Sequence, residues 1–136
     1  MVVNELLRVE KDGTISFGDY TLEAKAKLDN FSHNEAVYKV KTYKDITKLE
    51  CNDVFVYESV PGTAVYNFNR KDGEVSFYVE GMEGAQITLG LEPETEYEIT
   101  VDGESVDVMS TYLGGKLSLS VELETEKAVS ILVNKK

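Results

Sequence analysis

Tryptophan is missing from this chain, and five other residue types are nearly so. Cys51, His33, Gln86, the prolines Pro61 and Pro93, and the arginines Arg8 and Arg70 are their only representatives. A lone cysteine excludes an internal disulfide and fits a reducing compartment, so a cytoplasmic location is expected. One cysteine and one histidine leave almost no transition-metal donors, and no EF-hand spacing is present, so no metal or other cofactor is expected. No glycine pattern for a dinucleotide or nucleotide phosphate occurs. No apolar run approaches the ~20 residues of a membrane-spanning helix. Residues 1–8 lack the basic segment and sustained apolar stretch of a signal peptide.

Bases are also scarce. Lysine and arginine number 14 against 25 acids, a net charge of −11. That excludes a nucleic acid or an anionic membrane as the natural partner, because both demand positive charge. The charge is unevenly spread. Residues 92–126 carry ten acids and one base, Lys116, whereas residues 23–48 carry six lysines (Lys25, Lys27, Lys39, Lys41, Lys44, Lys48) against four acids. Two solvated faces would account for this, and so would head-to-tail self-association weakened by salt.

What the chain does contain is alternation. With 136 residues and 42% hydrophobic content it reads as one globular domain, residues 1–136. Leu117, Leu119, Val121 and Leu123 alternate with Ser118, Ser120 and Glu122, and Val75, Phe77 and Val79 alternate with Ser76, Tyr78 and Glu80. Such period-2 patterns predict half-buried strands. Asp-Gly pairs at 12–13, 72–73 and 102–103 predict tight hairpins, of the type I′ kind in which both central residues take positive φ. Pro61-Gly62 predicts a type II turn with Gly62 at positive φ. Val54-Phe55-Val56-Tyr57 is apolar on both faces and predicts a central strand.

Residues 22–28 support two readings. Leu22, Ala24, Ala26 and Leu28 alternate with polar residues as a strand would, while Glu23 and Lys27 would pair on a helix. The strand is favoured, because a helix would leave Ala24 and Leu28 far from its apolar stripe. The total is ten to twelve short strands with no firm helix, separated by turn signals. This predicts an all-β fold, an antiparallel β-sandwich of immunoglobulin/fibronectin III-like or jelly-roll-like type.

Between Ile87-Thr88-Leu89-Gly90-Leu91 and Tyr97-Glu98-Ile99-Thr100-Val101, Pro93 breaks the chain from one strand to the next. A Tyr just past such a break buries its ring and returns its hydroxyl across the corner. The run from Leu89 to Val101 resembles the corner between the fifth and sixth strands of fibronectin type III domains. Residues 97–103, 114–123 and 129–131 together resemble β-sandwich modules appended to bacterial polysaccharide-degrading enzymes, which implies an accessory, carbohydrate-binding role. The runs Phe17-Gly18-Asp19-Tyr20, Tyr38-Lys39-Val40-Lys41-Thr42, Ile46-Thr47-Lys48-Leu49-Glu50 and Val56-Tyr57-Glu58-Ser59-Val60-Pro61-Gly62-Thr63-Ala64-Val65 resemble a family of short proteins of anaerobic Gram-positive bacteria labelled endosialidase. That resemblance implies a glycosidase.

Residue chemistry gives the glycosidase reading little to work with. A sialidase grips its substrate carboxylate with three arginines, because the planar guanidinium matches a carboxylate bidentately, and two arginines cannot form that cluster. Glu58 is the most interesting single carboxylate, since its strand is apolar on both faces and burial would raise its pKa. His33 reads as an exposed loop residue. Cys51 lacks the positive surroundings that activate a thiol. The aromatic candidates for an interface or ligand surface are Tyr57, Tyr66, Tyr78 and Tyr112, with Tyr66 and Tyr78 expected to lie near one another across the hairpin at 72–73. The expectation is a non-catalytic sandwich acting through self-association or another protein partner. Glycan binding is the alternative and a glycosidase the weaker one.

Overall fold

A computed structural model describes residues 2–136. The chain forms thirteen strands: β1 (Leu7–Val9), β2 (Ile15–Phe17), β3 (Ala26–His33), β4 (Ala36–Tyr43), β5 (Ile46–Cys51), β6 (Val54–Val60), β7 (Ala64–Lys71), β8 (Glu74–Glu80), β9 (Ala85–Gly90), β10 (Glu96–Val101), β11 (Glu104–Ser110), β12 (Lys116–Val121) and β13 (Val129–Lys135). No helix is found among the described residues, and none is long and apolar enough to cross a membrane. The strands make two antiparallel sheets packed face to face. One has seven strands in the order β1-β2-β7-β8-β13-β10-β11, the other six in the order β12-β9-β6-β5-β4-β3. The fold is the all-β sandwich expected, with one strand more than the upper count.

Period-2 patterning places the core as predicted. Val75, Phe77, Val79, Leu117, Leu119, Val121 and Leu123 are all buried, and the intervening Ser118 and Ser120 are not. The centre is aromatic. Phe17 stands edge-on to Tyr57 and Phe68, with ring centroids 5.3 and 5.5 Å away, and Tyr57 stands edge-on to Phe77 at 5.7 Å. Rings in this arrangement set a positive edge against a negative face, which adds about 1 kcal/mol per pair to the area each buries. Val54–Val60 is central as expected, lying between β5 and β9.

Several local expectations need correction. Among the Asp-Gly pairs, only Asp102-Gly103 has positive φ at both residues (50° and 83°); at 12–13 and 72–73 the glycine alone does. Two hairpins without glycine instead take the double positive-φ form, Asn34-Glu35 (51° and 63°) and Asn52-Asp53 (52° and 64°). An Asn at the first position tolerates that conformation because its short side chain can bond locally. Gly62 does not take positive φ, and the Val60–Pro61 peptide is cis. The glycine serves close approach instead: a Cβ there would stand 2.0 Å from the Tyr43 carbonyl oxygen. Residues 22–25 lie outside any strand, and β3 runs on through His33. His33 is therefore a strand-end residue, half-buried, whose Nε2 donates to the Gly13 carbonyl at 2.9 Å.

The corner at Pro93 carries the chain from β9 in the smaller sheet to β10 in the larger. Tyr97 is buried, and its hydroxyl accepts the Glu92 N–H at 3.2 Å.

Candidate functional site

The outer face of the six-stranded sheet collects the lysines. Strand register sets Lys27 opposite Lys41, Lys41 opposite Lys48, and Lys48 opposite Glu58. The same row continues through Thr88 to Ser118, whose hydroxyls lie 2.8 Å apart. One row thus crosses all six strands, and three consecutive positions in it are lysine. Their neighbours Val40 and Leu49 are buried, so period-2 geometry turns the ammonium groups outward. Lys39 lies on the same face opposite Glu50, and Lys48 Nζ is 3.6 Å from Glu50. Lys25 Nζ lies 5.8 Å from the centre of the Tyr43 ring. Like charges directly opposite one another across a sheet are destabilising by a few tenths of a kcal/mol to about 1 kcal/mol, so folding alone does not favour such a row.

The acids collect at the other end of the sandwich. Glu96 and Glu98 project from β10, Glu104 and Asp107 from β11, and Glu92 and Glu94 from the corner before them. Some have local partners: Glu92 meets Lys135 at 3.2 Å, and Glu98 accepts the Ser105 hydroxyl at 2.7 Å. Beside them the loop after β11 raises Tyr112 and Leu113, which are 81% and 82% exposed. That loop is anchored. Thr111 N–H donates to the Thr95 carbonyl (2.9 Å), and its hydroxyl accepts the Thr95 N–H (3.0 Å) while donating to the Glu92 carbonyl (2.5 Å). The two apolar side chains therefore stand on a fixed base rather than on a free loop.

β11 is the edge strand of the seven-stranded sheet and is exposed along most of its length, with Val106 58% and Val108 42% accessible. Beneath it, between β11 and β12, lies an open cleft of about 350 Å³ lined by Ile99, Val101, Val106, Met109 and Leu119 among others. A larger recess of about 660 Å³ lies at the loop end between Phe55, Arg70, Glu92 and Lys116. Lys116 Nζ sits 4.7 Å from the centre of the Phe55 ring there.

The four aromatic candidates separate. Tyr112 is fully presented. Tyr66 and Tyr78 are directly opposite across β7 and β8, with Tyr78 49% exposed and Tyr66 half-buried. Tyr57 is corrected: it is wholly buried, and its hydroxyl bonds to Thr63 Oγ1 at 2.8 Å. The cause is a register shift between β5 and β6, which lets Val56 and Tyr57 both point into the core. Glu58 is half-buried on the outer face beside Lys48 and lines none of these clefts. Cys51 is buried. Arg8 is engaged by Glu10 at 3.0 Å and Glu5 at 3.6 Å, and Arg70 projects separately from β7. No group of His, Cys, Asp and Glu among the described residues could hold a metal ion.

Sequence reasoning missed Glu80. Its alternation turns it to the outer face, yet it is 3% exposed, because Tyr20 and the segment before β13 cover it. The Tyr20 hydroxyl donates to Glu80 at 2.7 Å, and the Glu126 N–H at 3.3 Å. Burial opposes the charged carboxylate, but the hydrogen bonds it accepts outweigh that and hold its pKa below the ordinary range. Burial and the nearby Glu80 charge push the Tyr20 and Tyr66 phenols up. A second buried polar set joins Thr42, Thr47, Ser59 and Thr63: Thr63 bonds to Ser59 at 2.8 Å, Thr47 donates to the Thr63 carbonyl at 2.9 Å, and Thr42 meets Thr47 at 2.8 Å. Both sets fasten loops to the sandwich. Compared with protein-family models, curated proteins and solved structures, the chain matches none of them.

Proposed function

We propose that this is a non-catalytic β-sandwich protein that acts by self-association or by binding another protein. The observation that carries the reading is the separation of charge on the fold, with a lysine row across β3, β4 and β5 and acids along β10 and β11. Opposed charged patches on one molecule attract a second copy head to tail, and the attraction is screened by salt. The fixed, exposed Tyr112 and Leu113 supply apolar area of the kind that dominates interface energetics. Sedimentation at low and high salt tests the reading. Assemblies at low salt that dissociate at high salt are expected; a monomer insensitive to salt removes self-association.

A second reading, glycan binding, draws on the Tyr66–Tyr78 pair on the outer face of the seven-stranded sheet, since a sugar ring stacks on such aromatic faces. A glycan array, acidic glycans included, tests it, and an array without hits removes it.

A further inference from the structure

The four sheet edges of this sandwich are not equivalent. β1 is three residues long and offers little backbone to pair with. β12 carries one charge, Lys116. β3 and β11 are long, eight and seven residues; β11 carries acids only, Glu104 and Asp107, whereas the start of β3 is basic and Asp29 follows two residues after Lys27. Lys25, just before β3, and Lys27 within it are both exposed and stand two residues apart, hence on one side of the chain. On β11 the equivalent pair is Glu104 and Asp107. They are three residues apart, but the register shift between Ile99 and Thr100 sets them opposite Val101 and Ile99, so they too share one side. The bulge therefore gives the two acids the same spacing along their strand as the two lysines have along theirs.

An exposed strand edge pairs with another chain unless something prevents it. Here β11 against β11 would set carboxylates together and is repelled, and β3 against β3 can match Lys27 with Asp29 but leaves the apolar cleft under β11 open. β3 against β11 opposes both lysines to carboxylates and covers that cleft. Resting on the self-association reading, we infer that β3 of one copy adds to the free edge of β11 of the next, with Lys25 and Lys27 over Glu104 and Asp107. The contact is heterologous, so a joined pair keeps a free β11 on one copy and a free β3 on the other, and assembly proceeds head to tail rather than stopping at a symmetric dimer. The added strand lies over the cleft beneath Val106 and Met109 and covers apolar surface that a single copy leaves to water. Matching the charges puts the outer face of β3 on the cleft side, which sends the second copy's other sheet away from β12. In the single copy the Asp107 carboxylate accepts the Val108 N–H at 2.8 Å, so one donor of this strand is held by a side chain until a partner arrives.

Charge exchange between two variants is the test. Lys25→Glu/Lys27→Glu reverses β3, and Glu104→Lys/Asp107→Lys reverses β11; circular dichroism confirms that each remains folded. At low salt, sedimentation is expected to show the unmodified chain assembled, each variant alone reduced to monomer, and an equimolar mixture of the two assembled again. The β11 variant is the stricter arm, because it lowers net charge and so weakens general repulsion, yet is expected to lose assembly. Variants that assemble like the unmodified chain, or a mixture that stays monomeric, overturn the strand contact while leaving self-association standing. An unmodified chain that is monomeric at both salt concentrations overturns the self-association reading itself.

Discussion

The aromatic centre and the β10–β11 edge are built from the same alternating pattern, yet they end in opposite environments. Around Phe17, Tyr57, Phe68 and Phe77 every ring has another ring or an aliphatic layer against it, and the one hydroxyl among them is bonded to Thr63. Along β11, Val106 and Val108 show a comparable pattern in sequence and face water. Two things differ. The register shift between Ile99 and Thr100 leaves Val106 with no residue opposite it and sets Val108 opposite Glu98, on the outer face rather than over the other sheet. In addition, β6 and β9 of the smaller sheet supply a floor under the centre, whereas β11 overhangs the open side beside β12. Alternation offers an apolar face; register decides which way it turns, and the other sheet decides whether it is buried.

If that contrast is right, truncation should have very unequal effects in the two regions. Phe17→Ala removes the ring that meets both Tyr57 and Phe68, and a loss of about 4 kcal/mol is expected in urea unfolding. A much smaller loss would mean that the centre collapses to fill the space.

The polar fastening of the centre's outer side is tested at Glu80. Glu80→Gln keeps the shape but removes the charge that accepts the Tyr20 hydroxyl and the Glu126 N–H, and a cost of about 2 kcal/mol is expected near neutral pH. The folded pKa lies below the unfolded value, so the carboxylate's contribution is complete above the ordinary carboxyl pKa and is lost as pH falls through the depressed folded value. Melting temperatures of the two proteins should therefore converge in acid. A gap that persists there would assign the effect to shape rather than charge.

Between the two regions sits the corner. Tyr97→Phe deletes the hydroxyl that accepts the Glu92 N–H, and about 1 kcal/mol should be lost in thermal or urea unfolding. An unchanged midpoint would mean that water serves that N–H equally well. At the far end of the scale, Val108→Ala should change the stability of the single copy by less than about 0.5 kcal/mol, because the side chain lies on the outer face of an edge strand with 42% of its surface still in water. A large loss at dilution would show that the edge is already covered in solution, and the contrast would then fail.

Much of the fold is legible in the sequence because burial on one side of a strand leaves a period of two. Residues 117–123 and 75–79 show it directly, and Pro93 with Tyr97 marks a crossing between sheets. Register shifts erase that legibility. Tyr57 looks like a surface aromatic until the shift between β5 and β6 turns it inward beside Val56. Glu80 reads as a solvent residue because nothing local announces that Tyr20, 60 positions away, will cover it. The charge separation is legible as composition, but the lysine row is not, because it joins residues of three strands whose register only the hairpins set. Asn34-Glu35 sets the β3–β4 register without the glycine that usually marks such a turn, as Asn52-Asp53 does for β5 and β6 alongside.

The place of β13 has a consequence for how the molecule comes into being. It lies between β8 and β10, and through it alone the hairpin of β10 and β11 joins the rest of the larger sheet. During synthesis that sheet stays in two pieces until residues 129–135 have left the ribosome, even though the smaller sheet has all its strands once residue 121 is out. The order of emergence thus favours a half-built sandwich with one layer complete and the other waiting, and joining the pieces must bring together partners distant along the chain, the slow kind of contact.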